Sequence, residues 1–426
     1  MLVSRIIVLF LAITLCGCGL YDALTHAGEE NNGTDAGVGD ADGGSDTNGN
    51  GSTTDECGEC EVMCVDGECV EAVSLSAGGF HTCAIVDDGR LACWGSNQER
   101  QLGRSDGSSQ GEPAFVDGLE SVEEVSAGWW YTCAIANSDQ LRCWGHNAEG
   151  QLGIGSSGEP IVQPQSVSGV NSAQQVAAGH SHGCAVHDGG AVSCWGAAYD
   201  GQLGHGESGT DVGLSPQSVE GIDGSSTVTD LSAGWSFSAA IVSGELRMWG
   251  DNEYQKLGRP GDEYEPTPVV AEVHDGVPTF VSAGWHHSCA VFDGEEVRCW
   301  GSNESGQLGH DSSDSEEFVV DLPVHSSVEV DAGWGAHSCA MSNLGLYCWG
   351  NNDSGQLGGG GGLDEVVRQA VEVFDEPMAD VAVGHSHSCG LKESGEVYCW
   401  GSNSQGQLGV GESQGDSAEP LPVGAP

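Results

Sequence analysis

The sequence predicts an all-β repeat protein, a propeller or solenoid array, and three observations carry that prediction. The dipeptide Trp-Gly recurs at Trp94, Trp144, Trp195, Trp249, Trp300, Trp349 and Trp400, at intervals of 49–54 residues. A second motif follows each of them: Gln101-Leu102-Gly103, Gln151-Leu152-Gly153, Gln202-Leu203-Gly204, Lys256-Leu257-Gly258, Gln307-Leu308-Gly309, Gln356-Leu357-Gly358 and Gln407-Leu408-Gly409. Within each repeat, short apolar runs are separated by turn residues. A period of roughly 50 residues built from such runs is the signature of stacked supersecondary units.

In the first repeat, Val73–Gly78 leads to His81–Val86, a turn at Asp87-Asp88-Gly89 and a run from Leu91 to Gly95. Asp-Gly between two apolar runs marks a hairpin, because glycine takes the positive φ that the turn needs. No sustained helical periodicity appears, so helix is expected to be minor. In the fifth repeat the motifs read Ala283-Gly284-Trp285-His286-His287-Ser288-Cys289-Ala290, then Trp300-Gly301-Ser302-Asn303, then Gly306-Gln307-Leu308-Gly309. This pattern resembles the regulator of chromosome condensation repeat family, over residues 70–426. The resemblance implies a seven-bladed β-propeller of four-stranded blades.

The segment ahead of the repeats divides into three parts. Residues 1–18 read as an export signal: Arg5 supplies positive charge, and Ile6 to Leu15 is apolar except for Thr14. That run is too short to span a bilayer. It ends in Leu15-Cys16-Gly17-Cys18, which resembles the lipobox of bacterial lipoproteins and implies Cys18 as the lipidated residue. Localisation in the cell envelope, at the outer membrane or cell surface, is the expectation, with the lipid as the only membrane attachment. Residues 19–56 are a Gly/Asp/Asn/Ser-rich tether with too little apolar surface to fold. Residues 57–69 carry Cys57, Cys60, Cys64 and Cys69. In an exported chain this spacing favours two disulfides over zinc, with three pairings open.

Six repeats carry two cysteines nine or ten residues apart: Cys83 and Cys93, Cys133 and Cys143, Cys184 and Cys194, Cys289 and Cys299, Cys339 and Cys348, Cys389 and Cys399. The fourth repeat has Ala239 and Met248 instead. Both cysteines are lost together, as a disulfide requires, and facing positions of a hairpin bring Cβ atoms within bonding reach. Six intra-blade disulfides are therefore expected. After the last Gln-Leu-Gly the chain adds Glu419-Pro420-Leu421-Pro422-Val423. This resembles the Pro-containing segments between repeats, such as Glu112-Pro113-Ala114-Phe115-Val116, and the expectation is a C-terminal strand that closes the first blade.

Two recurring positions bear on function. His81, His182, His287, His337 and His387 occupy one site, with Tyr131 and Phe237 in the other repeats. Exchange for Tyr and Phe fits packing better than metal binding, and no metal or cofactor is expected. The position after Ala-Gly holds Gly79, Trp129, His180, Trp235, Trp285, Trp334 and His385, with Phe80, Trp130 and His286 beside them. The resemblance places this turn on one face near the axis, and aromatic residues gathered there are costly to expose unless they contact something. Trp129, Trp130, His180, Trp235, Trp285, Trp334 and His385 are the expected partner-binding residues.

Lys plus Arg number 11 against 64 Asp plus Glu, a formal net charge of −53. Such a chain lacks the cations to bind nucleic acid by neutralising phosphates. No nucleophile–base pair, zinc-hydrolase motif or phosphate loop is present. The favoured function is an extracellular or periplasmic module that binds a protein or glycan and is not an enzyme. The alternatives are guanine-nucleotide exchange, as in the founding family member, a photoreceptor, or an extracellular lyase or glycosidase.

Overall fold

The Ala-Gly turn, the Asp-Gly-type turn and the Gln-Leu-Gly loop cut every repeat at the same three places, so every repeat folds into one four-stranded antiparallel sheet. The computed structural model describes residue 60 and residues 62–424, apart from 106, 210–211, 274–275, 312–317, 321–326, 361–365 and 412. The expected signal, Cys18 and the tether lie outside the described residues. Seven four-stranded sheets make a β-propeller, joined by one two-stranded hairpin at Met63–Val65 and Glu68–Val70.

In the first blade the strands run from the axis outward as Ala72–Ala77, His81–Val86, Leu91–Gly95 and Gln110–Phe115. The second strand is buried along its whole length because neighbouring blades cover both of its faces. The outermost strands are partly exposed. They carry Pro113, Pro160 and Pro266, tolerated because the free edge of a blade requires no ladder N–H from every residue.

Each seam between blades is locked by the two motifs seen in the sequence. The indole Nε1 of Trp144 donates to the carbonyl of Gln101 in the preceding blade at 2.9 Å. The equivalent bonds run from Trp195 to Gln151, Trp249 to Gln202, Trp300 to Lys256, Trp349 to Gln307 and Trp400 to Gln356. The glycine closing each motif lies against that indole: a Cβ on Gly153 would sit 2.8 Å from the Trp195 ring. Leu102 is buried at the seam, packed with Leu91 of its own blade and Trp144 of the next.

A second lock uses the recurring histidines. His81 Nε2 lies 2.9 Å from Thr132 Oγ1 of the next blade, and that hydroxyl donates to the Gln101 carbonyl. The single hydroxyl proton is thereby committed, so the imidazole must donate from Nε2. His182–Ser238, His287–Ser338, His337–Ser388 and His387–Thr82 repeat the arrangement. All five rings are fully buried, and burial lowers each imidazole pKa to about 3. Tyr131 and Phe237 fill the same buried site in the second and fourth blades.

The six cysteine pairs face each other in register on the second and third strands of their blades. The structure bridges all six as the sequence predicts. Cys83 bonds to Cys93, Cys133 to Cys143 and Cys184 to Cys194, each with a Cα–Cα distance of 4.1 Å. Cys289 bonds to Cys299, Cys339 to Cys348 and Cys389 to Cys399, again at 4.1 Å. In the fourth blade Ala239 and Met248 occupy the same facing register. In the cysteine-rich segment Cys60 bonds to Cys69, and Cys64 is also disulfide-bonded.

The structure corrects the expected ring closure. The C-terminal strand Ser417–Pro422 pairs with Val397–Gly401 and completes the seventh blade, not the first. Its equivalent Gln110–Phe115 likewise belongs to the blade whose loop it follows. After each Gln-Leu-Gly loop the nearest open edge is that of the strand just made, and pairing there closes a shorter loop than reaching the next blade would. Blades one and seven meet through the same locks as other pairs, Trp94 to the Gln407 carbonyl at 3.0 Å and His387 Nε2 to Thr82 Oγ1 at 2.9 Å, and Leu75 N also donates to Asp380 Oδ2 at 2.8 Å. This seam has one further part. Met63 and Val65 of the hairpin are fully buried in a cluster with Trp94, Leu408 and Val423, drawn from both ends of the ring. Asp66 accepts the Phe115 amide at 3.0 Å, and Glu68 pairs with Arg90 at 2.7 Å. The packed body thus extends back to Met63, into the segment expected to stand apart from the repeats.

Candidate functional site: an aromatic platform over the axis

The innermost strands converge until backbone meets backbone at the glycine of each Ala-Gly turn. A Cβ on Gly78 would lie 2.3 Å from the Gly128 carbonyl of the next blade, and one on Gly234 would lie 2.5 Å from that of Gly284. In the first four turns the next amide bridges to the neighbouring glycine: Gly79 N to Gly128 O, Trp129 N to Gly179 O, His180 N to Gly234 O and Trp235 N to Gly284 O, at 3.2–3.4 Å. Only glycine fits this collar.

In five of the blades the residue after the collar glycine is a half-buried aromatic or imidazole ring gathered over the axis. Trp129 sits at the centre. Its ring lies 5.8 Å from Trp235, 6.0 Å from Trp334 and 4.9 Å from His385, which come from the fourth, sixth and seventh blades. Rings of non-adjacent blades can meet only across the axis, so the set forms one platform over the channel. Around the hub, His180 packs on Trp235 at 3.8 Å, Trp235 stacks on Trp285 at 5.1 Å, and Phe80 stacks on Trp130 at 4.7 Å. The first blade has Gly79 where others have an aromatic residue, and a Cβ there would lie 3.0 Å from the Trp129 ring. That glycine makes room for the hub.

The structure thus gathers the expected residues, with one correction. Phe80, Trp129, Trp130, His180, Trp235, Trp285 and His385 are half-buried and keep part of their rings open to solvent. Trp334 is only 6 % exposed and belongs to the floor, not to the contact face. Its turn differs because Gly335 follows it: the His385 carbonyl lies 1.5 Å from where a Cβ on Gly335 would stand. The turn therefore collapses onto the seventh blade and carries the indole inward. Burial lowers the imidazole pKa of His180 and His286 to about 4 and that of His385 in the same direction, so the platform is neutral at physiological pH.

The loops from the third to the fourth strand leave the blades at the same end as the collar turns, because two strands separate them. They bring polar groups to the platform edge. Glu99 Oε2 is 2.8 Å from His146 Nδ1, and Glu149 accepts from the Tyr199 hydroxyl. Asp200 lies near Ser236, next to Trp235, and burial raises its carboxyl pKa. Lys256 is fully buried and paired with Asp251 at 2.5 Å, so it offers no free charge. Among the described residues no group of three or more His, Cys, Asp or Glu could hold a metal ion.

A family model described as the RCC1-like domain matches residues 36–373, and models of the RCC1 repeat match residues 378–407 and 394–425. The chain belongs to the RCC1-like family. The ultraviolet-B receptor UVR8 of Arabidopsis thaliana is 30% identical over 351 residues, covering 80% of this chain and 79% of the receptor. The E3 ubiquitin-protein ligase HERC2 of Homo sapiens is 31% identical over 354 residues, 79% of this chain but 7% of the ligase. That match is confined to a small part of the ligase, so it carries the propeller and not ligase chemistry. Among solved structures, human WBSCR16 superposes with a TM-score of 0.67 at 22% identity, covering 76% of this chain and 87% of its own. Prp20p of Saccharomyces cerevisiae superposes at 0.62 and 22%, covering 75% and 82%. Both share the fold.

In this RCC1-like propeller the edge residues Glu99, Glu149 and Asp200 were missed by sequence reasoning. A signal existed: each stands two positions before the Gln of Gln-Leu-Gly. That Gln pins the same position, since its Oε1 accepts the backbone N–H of Glu99, Glu149 and Asp200 at 2.9–3.0 Å.

Proposed function

We propose that this RCC1-like propeller is an extracytoplasmic, lipid-anchored module that holds a protein partner on its aromatic platform. The observation that carries the reading is the platform itself. Seven half-buried aromatic and imidazole rings from six blades share one face with solvent, on a collar of close backbone contacts. Large aromatic residues on a rigid base contribute much contact area at little entropic cost, which is why they dominate binding hot spots. Protein binding also fits the fold, since Prp20p binds Gsp1p and histones. Six bridged blades suit an oxidising compartment, as does the export signal ending at Cys18.

Capture of a partner by cross-linking on intact cells tests the platform. Trp285→Ala and Trp130→Ala should each reduce capture at least tenfold, in line with a hot-spot loss of roughly 2 kcal/mol or more, while the melting temperature shifts by only a few degrees. Undiminished capture by both variants would remove the platform from the function. The anchor is tested separately. A fatty-acid analogue fed to producing cells should label the wild type and leave Cys18→Ser unlabelled and released from membranes; equal labelling of both would end the lipoprotein reading.

A further inference from the structure

Carboxylates surround the platform: the third-to-fourth-strand loops of the fourth, fifth and sixth blades carry the exposed Glu253, Glu304 and Asp353. The position two before the Gln-Leu-Gly glutamine is Glu99, Glu149 and Asp200 in the first three blades, and Tyr254, Ser305, Ser354 and Gln405 in the others. Glu99, Glu149 and Asp200 form the arc contributed by the first three blades, each on a backbone pinned by its own Gln side chain. Asp200 lies near Ser236, beside Trp235. Glu99 meets the platform through His146, whose backbone N–H donates to the Trp130 carbonyl at 3.0 Å. Beyond the arc the indole faces of Trp235 and Trp285 lie stacked and half-open.

We infer that the segment seated on this face is cationic: a stretch of protein chain bearing arginine or lysine, with its charged heads on the Glu99–Glu149–Asp200 arc and its stems or guanidinium planes over Trp235 and Trp285. Indole faces attract cations through their quadrupole and carboxylates attract them through charge, so the two halves of the surface select one partner chemistry. A neutral or acidic partner would bring no counter-charge to the arc. The net charge of −53 draws the same kind of partner from a distance. This inference deepens the platform reading above and rests on it.

The test uses the whole protein and three synthetic probes of equal length: an arginine-rich peptide, its glutamate counterpart and a neutral Gly/Ser peptide, followed by tryptophan fluorescence. The arginine peptide should bind, and the other two should bind at least tenfold more weakly. Asp200→Asn combined with Glu149→Gln, and separately Trp285→Ala, should each weaken binding by about tenfold. Glu295→Gln combined with Glu393→Gln removes the same charge from turns at the opposite end of the blades and should change it less than twofold. Equal weakening by the two charge pairs would mean that the peptide is attracted by bulk charge and would overturn the inference. Absence of arginine-peptide binding, with cellular capture still lost in Trp285→Ala, would overturn the inference and leave the platform reading standing. Loss of neither binding nor capture in Trp285→Ala would overturn both.

Discussion

Between pH 7 and pH 5 the protein should lose stability through five buried histidines. His81, His182, His287, His337 and His387 are neutral in the fold, with pKa values lowered to about 3 by burial, and titrate near the ordinary value of 6.5 once unfolded. A group whose pKa is depressed by folding contributes its full stability above the unfolded pKa and loses it as pH falls toward the folded one. Here the loss begins near pH 6.5 and continues toward pH 3. Each histidine contributes about 1.4 kcal/mol per pH unit in that window, so the five together act against a total stability on the order of 5–15 kcal/mol. Protonation of carboxylates relieves charge repulsion and opposes the trend, but only at lower pH. His287→Phe separates the two effects, because Phe237 already fills this site in the fourth blade. Its stability, measured by chemical denaturation, should fall less steeply between pH 6.5 and 5, by about one histidine's share. Parallel pH profiles for the variant and the wild type would show that these imidazoles do not resist protonation.

Met63→Ala should cost roughly 2–5 kcal/mol, the loss expected for truncating a buried methionine, although its strand spans only Met63–Val65. Met63 shares one cluster with Trp94 of the first blade and with Leu408 and Val423 of the seventh. The ring has one seam made by the two ends of the repeat array, and there no continuous chain holds the blades together. The hairpin covers that seam, tied to Phe115 through Asp66 and to Arg90 through Glu68. Hydrogen exchange should show protection lost first in Ala72–Ala77 and Met378–Val383, the inner strands on either side. A variant that melts like the wild type, or opens first at another seam, would mean that the hairpin is dispensable and that Trp94 and Asp380 hold the closure unaided.

The platform was legible in part. Trp129, Trp235, Trp285, His180 and His385 stand at one repeat position, so translating the repeat around a ring was enough to bring them to one face. Translation could not tell that they would meet one another across the axis, because that depends on how closely the glycine collar draws the blades together. Nor could it tell that Trp334 is withdrawn, since the cause is a contact between Gly335 and the backbone of His385, about 50 residues away. The acidic arc had a periodic signal at Glu99, Glu149 and Asp200, but a position that is acidic in three repeats of seven looks like ordinary surface until the loops are placed beside the indoles.

The sequence by itself determined the sevenfold repeat and the facing cysteine pairs, from Cys83 with Cys93 to Cys389 with Cys399. These follow from local rules: turn residues at fixed offsets, alternation along a strand, and register set by a short hairpin. Ring closure was decided only in the tertiary structure. The Pro-containing strands read alike whether they complete the blade before them or the one after, and the choice falls to loop entropy and to which edge is open nearby. At Glu419–Val423 that choice gave the seventh blade its fourth strand and left the first seam to a hairpin whose buried Met63 and Val65 carry no repeat signature.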